Sequence, residues 1–202
     1  MKNAGFTRGF GLLEKHLSQK RVARANSLIS NGLRSGHVLD IGCGNFPYFL
    51  SQTMFAKKTG VDKEVGVAAH GLDGIELRQW DVGNEKMLPF SNDSFEAVTM
   101  LAVLEHLEPE NLVEVLDEIY RVLKNKGSLI LTSPVSWTAP LLFAMSRAGL
   151  LSKTEIDDHK YTYSMKELSA VVAKTKFCNC TVAKGFFELG MNMWMRIEKS
   201  VG

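Results

Sequence analysis

Val38-Leu39-Asp40-Ile41-Gly42-Cys43-Gly44-Asn45-Phe46-Pro47 is an apolar run that opens into a glycine turn, with one acid set shortly before the first glycine. Gly42 and Gly44 lack a Cβ, so backbone can approach a ligand there at a distance any side chain would obstruct. They also fall where a buried parallel strand would hand over to a helix. The next apolar stretch, Thr59-Gly60-Val61, ends on Asp62 and Lys63. Asp62 lies about 20 residues beyond the turn, the spacing at which an acid from a second strand meets the two hydroxyls of a ribose. Together these features point to a nucleotide site.

Which nucleotide depends on the details of the turn. The pyrophosphate fingerprint Gly-x-Gly-x-x-Gly would need glycine at 47, where Pro47 stands, and does not ask for an acid at 40. A nicotinamide-dependent dehydrogenase is therefore a poor fit. The stretch resembles instead motif I of the class I S-adenosylmethionine-dependent methyltransferases, Asp-x-Gly-x-Gly-x-Gly, matched by Asp40, Gly42 and Gly44, with Phe46 in place of the third glycine. The resemblance continues in the family's order. Asp62 stands at the ribose position, and Trp80-Asp81-Val82 stands where an acid faces the adenine amino group. The run from Leu88 to Val98, LPFSNDSFEAV, resembles the turn and fourth strand, and Leu104-Glu105-His106-Leu107 resembles the "LEH" that follows. Ile119 to Leu129 resembles the next helix and fifth strand, so the match extends roughly from Leu33 to Pro134.

The resemblance implies a Rossmann-like α/β fold: a doubly wound, seven-stranded, mostly parallel sheet with an antiparallel closing hairpin. It implies S-adenosyl-L-methionine as cofactor and S-adenosyl-L-homocysteine as product. The residues it assigns to the cofactor are Asp40, Gly42, Cys43, Gly44, Asp62, Lys63, Asp81, Val82 and Leu101, the last just past the fourth strand. Asp40 and Asp81 each have a second reading, as acids that bond to the backbone of their own turns. A non-catalytic protein that keeps the fold to bind cofactor or a partner is the alternative to an enzyme.

The bulk properties agree with one domain over residues 1–202, comprising a helical leader at 1–33 and a lid or acceptor region at 135–163. The hydrophobic content of 45% is ordinary for a globular protein. The net charge is only +2, and nothing in it asks for a nucleic-acid partner. Nor does the chain carry the Asn/Asp-Pro-Pro-Tyr/Phe motif of nucleic-acid amino methyltransferases, having Leu101-Ala102-Val103-Leu104 in its place. Cys43, Cys178 and Cys180 form an odd set without metal-site spacing, consistent with reduced thiols, and the last two are expected on one face of a strand. No secretory signal is visible, so a cytoplasmic location is expected. The longest apolar stretch, Trp137 to Leu151, is interrupted by Pro140 and Arg147 and falls short of the roughly 20 residues of a spanning helix, so no stable membrane insertion is expected.

Strand patterns at Val38 to Ile41, Thr59 to Asp62, Ile75 to Trp80, Phe95 to Met100 and Ser128 to Thr132 alternate with helices, which favours a parallel sheet. In the leader, Val22, Ala25 and Ile29 recur at helical spacing while Leu13 and Leu17 fall elsewhere, which predicts two helical pieces or one weakly amphipathic helix. Leu112, Leu116, Ile119 and Leu123 mark a sheet-packing helix with Pro109 in its first turn. Ser164 and Glu167 have capping-box spacing before a helix to about Lys174, and Phe177 to Val182 and Met193 to Glu198 read as the closing strands.

Methyl transfer from a sulfonium needs orientation and exclusion of water more than acid–base machinery; a base is required only where the acceptor must lose a proton, as a hydroxyl does. Two histidines are candidates. His106 falls at the carboxyl edge of the sheet, where ligands bind in open α/β folds, and His159 follows Asp157 and Asp158. Each also reads as an ordinary structural or solvated histidine. Tyr161 and Tyr163 are candidates for shaping the acceptor pocket. A small molecule, a glycan precursor or a lipid-like metabolite, methylated on oxygen, is the expected acceptor.

Overall fold

In the computed structural model, which describes residues 14–65, 72–85, 87–147, 149–150 and 160–201, the glycine turn follows an interior strand of a seven-stranded sheet. The strands are β1 (His37–Ile41), β2 (Lys57–Asp62), β3 (Ile75–Gln79), β4 (Phe95–Leu101), β5 (Leu123–Pro134), β6 (Thr181–Phe187) and β7 (Asn192–Glu198). Their order is β3-β2-β1-β4-β5-β7-β6. The first five are parallel, and β7 is antiparallel to both β5 and β6. The order reverses between β1 and β4, which opens a crevice at their carboxyl ends where such sheets take ligands.

Side chains alternate between the two faces of a strand. On one face Leu39, Ile41, Val98, Met100, Leu129 and Leu131 are buried with residues of α3 (Pro109–Val122) and Met165–Val172. On the other, Val38, Ala97 and Ile130 pack with Val22, Ala25 and Ile29 of the leader and with Phe49 and Leu50 of α2 (Tyr48–Gln52). The leader helix, α1, is a single piece from Glu14 to Leu28; residues 1–13, including Leu13, lie outside the described residues. The second face also carries Asp40, which pairs in register with Thr99.

Segment Ala139–Arg147 forms α4, within the expected lid, and Met165–Val172 forms α5. Ser164 caps α5 in a complete capping box: its hydroxyl accepts from the amide of Glu167 at 3.2 Å, and the Glu167 carboxylate accepts from the Ser164 amide at 2.8 Å. Among the described residues, no helix is long and apolar enough to cross a membrane.

The sixth strand departs from expectation. It runs from Thr181 to Phe187, not from Phe177, and Cys178 and Cys180 lie in the turns before it. Phe177 is buried for a different reason, its ring meeting that of Tyr120 edge-on at 5.1 Å between centroids. The true β6 is a sheet edge with both Val182 and Phe186 exposed, so it lacks the alternation that announces a half-buried strand. β5 is longer than expected, because Leu123 already pairs with Phe95 before an irregularity in the ladder. Leu101 is the last residue of β4, not the first beyond it.

Candidate cofactor and acceptor site

Gly42 and Gly44 both have φ of +73°, the left-handed region that glycine enters without a Cβ clash. At Gly42 the requirement is also spatial, since a Cβ there would stand 2.3 Å from Cγ2 of Val103. The turn is fastened to β2: the amides of Gly42 and Cys43 donate to the carbonyl of Val61 at 2.8 and 3.2 Å. The buried Cys43 side chain packs over Gly60, where a Cβ would meet its Sγ at 2.8 Å.

Asp62 completes the fastening. Its side chain, with the residue 5% exposed, accepts from the Gly44 amide through Oδ2 and from the Glu64 amide through Oδ1, both at 2.9 Å. Lys63, exposed at the rim, is held by its carbonyl, which accepts from Gln79 Nε2 at 3.0 Å.

Asp40, 3% exposed, lies deeper. Its Oδ1 accepts from the Thr99 hydroxyl at 2.6 Å. Burial pushes its carboxyl up to about 7; the Thr99 bond opposes that rise and the negative charge of Asp62 adds to it.

The amide of Trp80 donates to the carbonyl of Asp62 at 2.9 Å, which brings Asp81 to the same edge of the sheet. The Asp81 carboxylate accepts from the Gly83 amide and from Asn84 Nδ2, each at 2.8 Å, so it closes its own turn; Val82 packs on the core. Across the crevice Leu101 packs against the α1 face, and Ala102, with φ of +56°, donates its amide to Thr132 at 2.9 Å. Among the described residues, four buried side-chain oxygens have no hydrogen-bond partner, Asn45 Oδ1, Ser128 Oγ, Thr132 Oγ1 and Glu188 Oε1, and of these Asn45 lies in the glycine turn itself. An orphaned buried acceptor is uncommon and costly, and it is satisfied when a ligand hydroxyl or amine approaches.

His106 is half-buried in a short 3-10 turn, Leu104–His106, directly after β4. The residue beside it is the one sequence reasoning missed. Glu105 is buried, its carboxylate accepts from the Ser133 hydroxyl at 3.2 Å, and its carbonyl accepts the amides of Lys160 and Tyr161 at 2.8 and 3.1 Å. It therefore ties the segment at Lys160 and Tyr161 to the strand end. The available signal was an acid enclosed by apolar residues at the carboxyl end of a strand. Tyr163 is buried and donates to the carbonyl of Leu107 at 2.8 Å, and burial pushes its phenol above the ordinary range. Its ring lies 4.7 Å from that of Tyr161. His159, with Asp157 and Asp158, lies outside the described residues.

Residues 39–131 match the model of the methyltransferase domain family. An uncharacterized protein of Methanocaldococcus jannaschii is 36% identical over 94 residues, a stretch covering 46% of this chain and 38% of that protein. The match thus spans well under half the length of that relative. Over nearly the whole chain, the fold is similar to that of an S-adenosylmethionine-dependent methyltransferase of Thermotoga maritima, with a TM-score of 0.67 at 17% identity, covering 94% of this chain and 92% of that one. A second, from Archaeoglobus fulgidus, gives 0.65 at 17% identity over 92% and 95% of the two chains. At such identities the structural likeness speaks for the fold.

Proposed function

We propose that this chain, whose residues 39–131 match the methyltransferase domain family and whose fold is similar to that of S-adenosylmethionine-dependent methyltransferases, is a class I enzyme of that kind that methylates a small-molecule, glycan-precursor or lipid-like acceptor on oxygen. One observation carries the cofactor side of this reading. The glycine turn, the buried Asp62 that grips its Gly44 amide, and the partnerless Asn45 oxygen converge on one strand edge. These residues fit the group. Asp62 brings a buried carboxylate, an acceptor for ribose hydroxyls, to the turn, and the nearest atom to a Cβ at Gly44 would be 3.9 Å away, so the turn leaves room beside it. Asp81 serves the adenine amino group and Asp40 the amino-acid portion, with Cys43, Lys63, Val82 and Leu101 forming the walls.

S-adenosylmethionine, when bound, supplies a methyl group on a positively charged sulfur. The remaining work belongs to the chain. Asp40 and Asp62 place negative charge beside a cationic cofactor. Tyr161, Tyr163 and Glu105 hold the 160–163 segment against the strand ends and restrict the entry of water. Orientation of this kind supplies several kcal/mol toward the barrier. His106 takes the proton of an acceptor hydroxyl, which makes its oxygen nucleophilic, and His159 is the second candidate for that role.

Calorimetric titration with S-adenosylhomocysteine, with NADH run alongside, tests the reading without an acceptor in hand. Saturable binding of the first alone is expected. Folded protein that binds neither, or only NADH, overturns it.

A further inference from the structure

Charge is divided unevenly along this chain. Residues 1–30 contain six Lys and Arg against the single acid Glu14, whereas the remaining residues carry 18 Lys and Arg against 21 acids. Most of that excess lies on α1, which bears Lys15, Lys20, Arg21 and Arg24 together with His16. Its carboxyl end leads through a short turn to the start of β1, so its amino-terminal half lies toward the carboxyl edge of the sheet, where the crevice opens. The tip between β6 and β7 sits at the same edge. There the positive charges of Arg21, His16 and Lys20 counter the burial that raises the Glu188 carboxyl, and the Arg24 guanidinium lies 5.8 Å from the centre of the Phe187 ring.

The tip itself is built against ordinary preference. Glu188, Leu189 and Gly190 have φ of +51°, +56° and +83°. Glycine suits such a position, but a branched side chain is strained in it. Leu189 is also 97% exposed, so it is unfavourable both to its backbone and to water. A hydrogen bond of 3.0 Å from the Val135 amide to the Met191 carbonyl joins this tip to the start of the lid, where Trp137 is 57% exposed. Phe143 on α4 adds another largely exposed aromatic ring, at 48%. Large apolar side chains therefore emerge beside a basic helix on the rim of the proposed acceptor site.

We propose that this rim docks on a bilayer surface bearing anionic headgroups, with Leu189 and Trp137 entering the headgroup boundary and Lys20 and Arg21 lying over lipid phosphates. Basic charge joined to protruding aromatic and aliphatic groups is the combination that holds proteins at such surfaces, and tryptophan favours the interface. Charge complementarity selects the anionic bilayer over a neutral apolar partner. The docking rests on the methyl-transfer reading only for its purpose, which is to bring a membrane-resident amphiphile to the crevice.

Flotation of the full chain with vesicles of phosphatidylcholine alone and of phosphatidylcholine with one quarter phosphatidylglycerol tests this, with S-adenosylhomocysteine titrated in parallel. Binding to the anionic vesicles alone, lost in 0.5 M salt, is expected. Changing Lys20 and Arg21 together to Gln removes two charges, each worth about fivefold near such a surface, so binding falls about 25-fold. Leu189→Ser, at a position too exposed to disturb the core, weakens binding about tenfold. Equal binding to both vesicle types, binding to neither, tighter binding to an RNA oligonucleotide, or indifference to Leu189→Ser overturns the proposal. Vesicle binding without S-adenosylhomocysteine binding would instead remove the methyl-transfer reading and leave the docking in place.

Discussion

The amide of Gly44 donates to Oδ2 of Asp62 across 2.9 Å, so the acid at the end of β2 holds the shape of the turn that follows β1. One side chain thus sets the loop and, on the proposed reading, also holds the ribose. Asp62→Ala removes both functions at once. Hydrogen bonds to a charged group contribute about 1.5–3 kcal/mol each, so affinity for S-adenosylhomocysteine should fall about 100-fold or more, measured by calorimetry. Asp62→Asn, which keeps one carbonyl acceptor, should lie between. Unchanged affinity in a folded Asp62→Ala protein would sink the ribose assignment.

Gly42 is constrained twice, by its left-handed φ and by the Val103 methyl that lies where a Cβ would go. Gly42→Ala should therefore destabilise by about 3 kcal/mol, combining roughly 1–2 for the backbone with 1–3 for the overlap. The two contributions are separable. In a Val103→Ala background the overlap disappears while the φ cost remains, so Gly42→Ala should be at least about 1 kcal/mol milder there by urea unfolding. Equal costs in both backgrounds would show that the turn relaxes away from Val103.

Lys199 buries its ammonium at the far end of the sheet, donating to Asp93 Oδ1 at 2.9 Å and to the carbonyls of Tyr120 and Leu123 at 2.9 and 2.6 Å. It also lies 4.5 Å from the centre of the Tyr120 ring. Lys199→Met strands three acceptors, of which two are backbone groups that cannot move to water. A cost of about 3 kcal/mol or more is expected, which for a chain of this size lowers Tm by roughly 10 °C. Asp93→Asn should cost less than about 1 kcal/mol, because that side chain is largely exposed. Equal losses would assign the stability to the ion pair and not to the carbonyls.

What was legible in the sequence follows the physics of burial. β1, β2 and β4 are interior strands whose apolar runs have no other place to go, and their ends were read within two residues. The α5 cap was legible because Ser164 and Glu167 form a local motif that needs no tertiary partner. β6 was not legible, since its side chains face solvent and its identity comes from ladder bonds to β7. The same distinction governs the site. Asp62 could be placed by its distance from the turn, but the role of Glu105 depends on Ser133 and on the amides of Lys160 and Tyr161, contacts made across the fold. Nor could spacing show that the Asp81 carboxylate closes its own turn.

The buried pair of Asp40 and Thr99 gives this protein a pH dependence of unusual sign. Ionised carboxylates in folded proteins usually favour stability as pH rises, but burial moves the Asp40 carboxyl from its ordinary 3.8 up to about 7. Between those values the folded protein keeps a proton that the unfolded chain gives up. The contribution of Asp40 to stability is therefore fully present below about pH 4 and is lost as pH rises toward 7. Asp40→Asn retains an oxygen for the Thr99 hydroxyl and has no proton to lose. It should flatten the stability profile across this window and raise stability above pH 7, by an upper limit on the order of 4 kcal/mol. If the cofactor's cationic amino-acid portion lies near Asp40, binding at pH 6 will also expel that proton. Calorimetry with S-adenosylhomocysteine in buffers of different ionisation enthalpy should then give different apparent heats for the natural protein and identical heats for Asp40→Asn. Buffer-independent heats in the natural protein would place the ligand's charge away from Asp40 and leave its carboxyl a structural partner of Thr99.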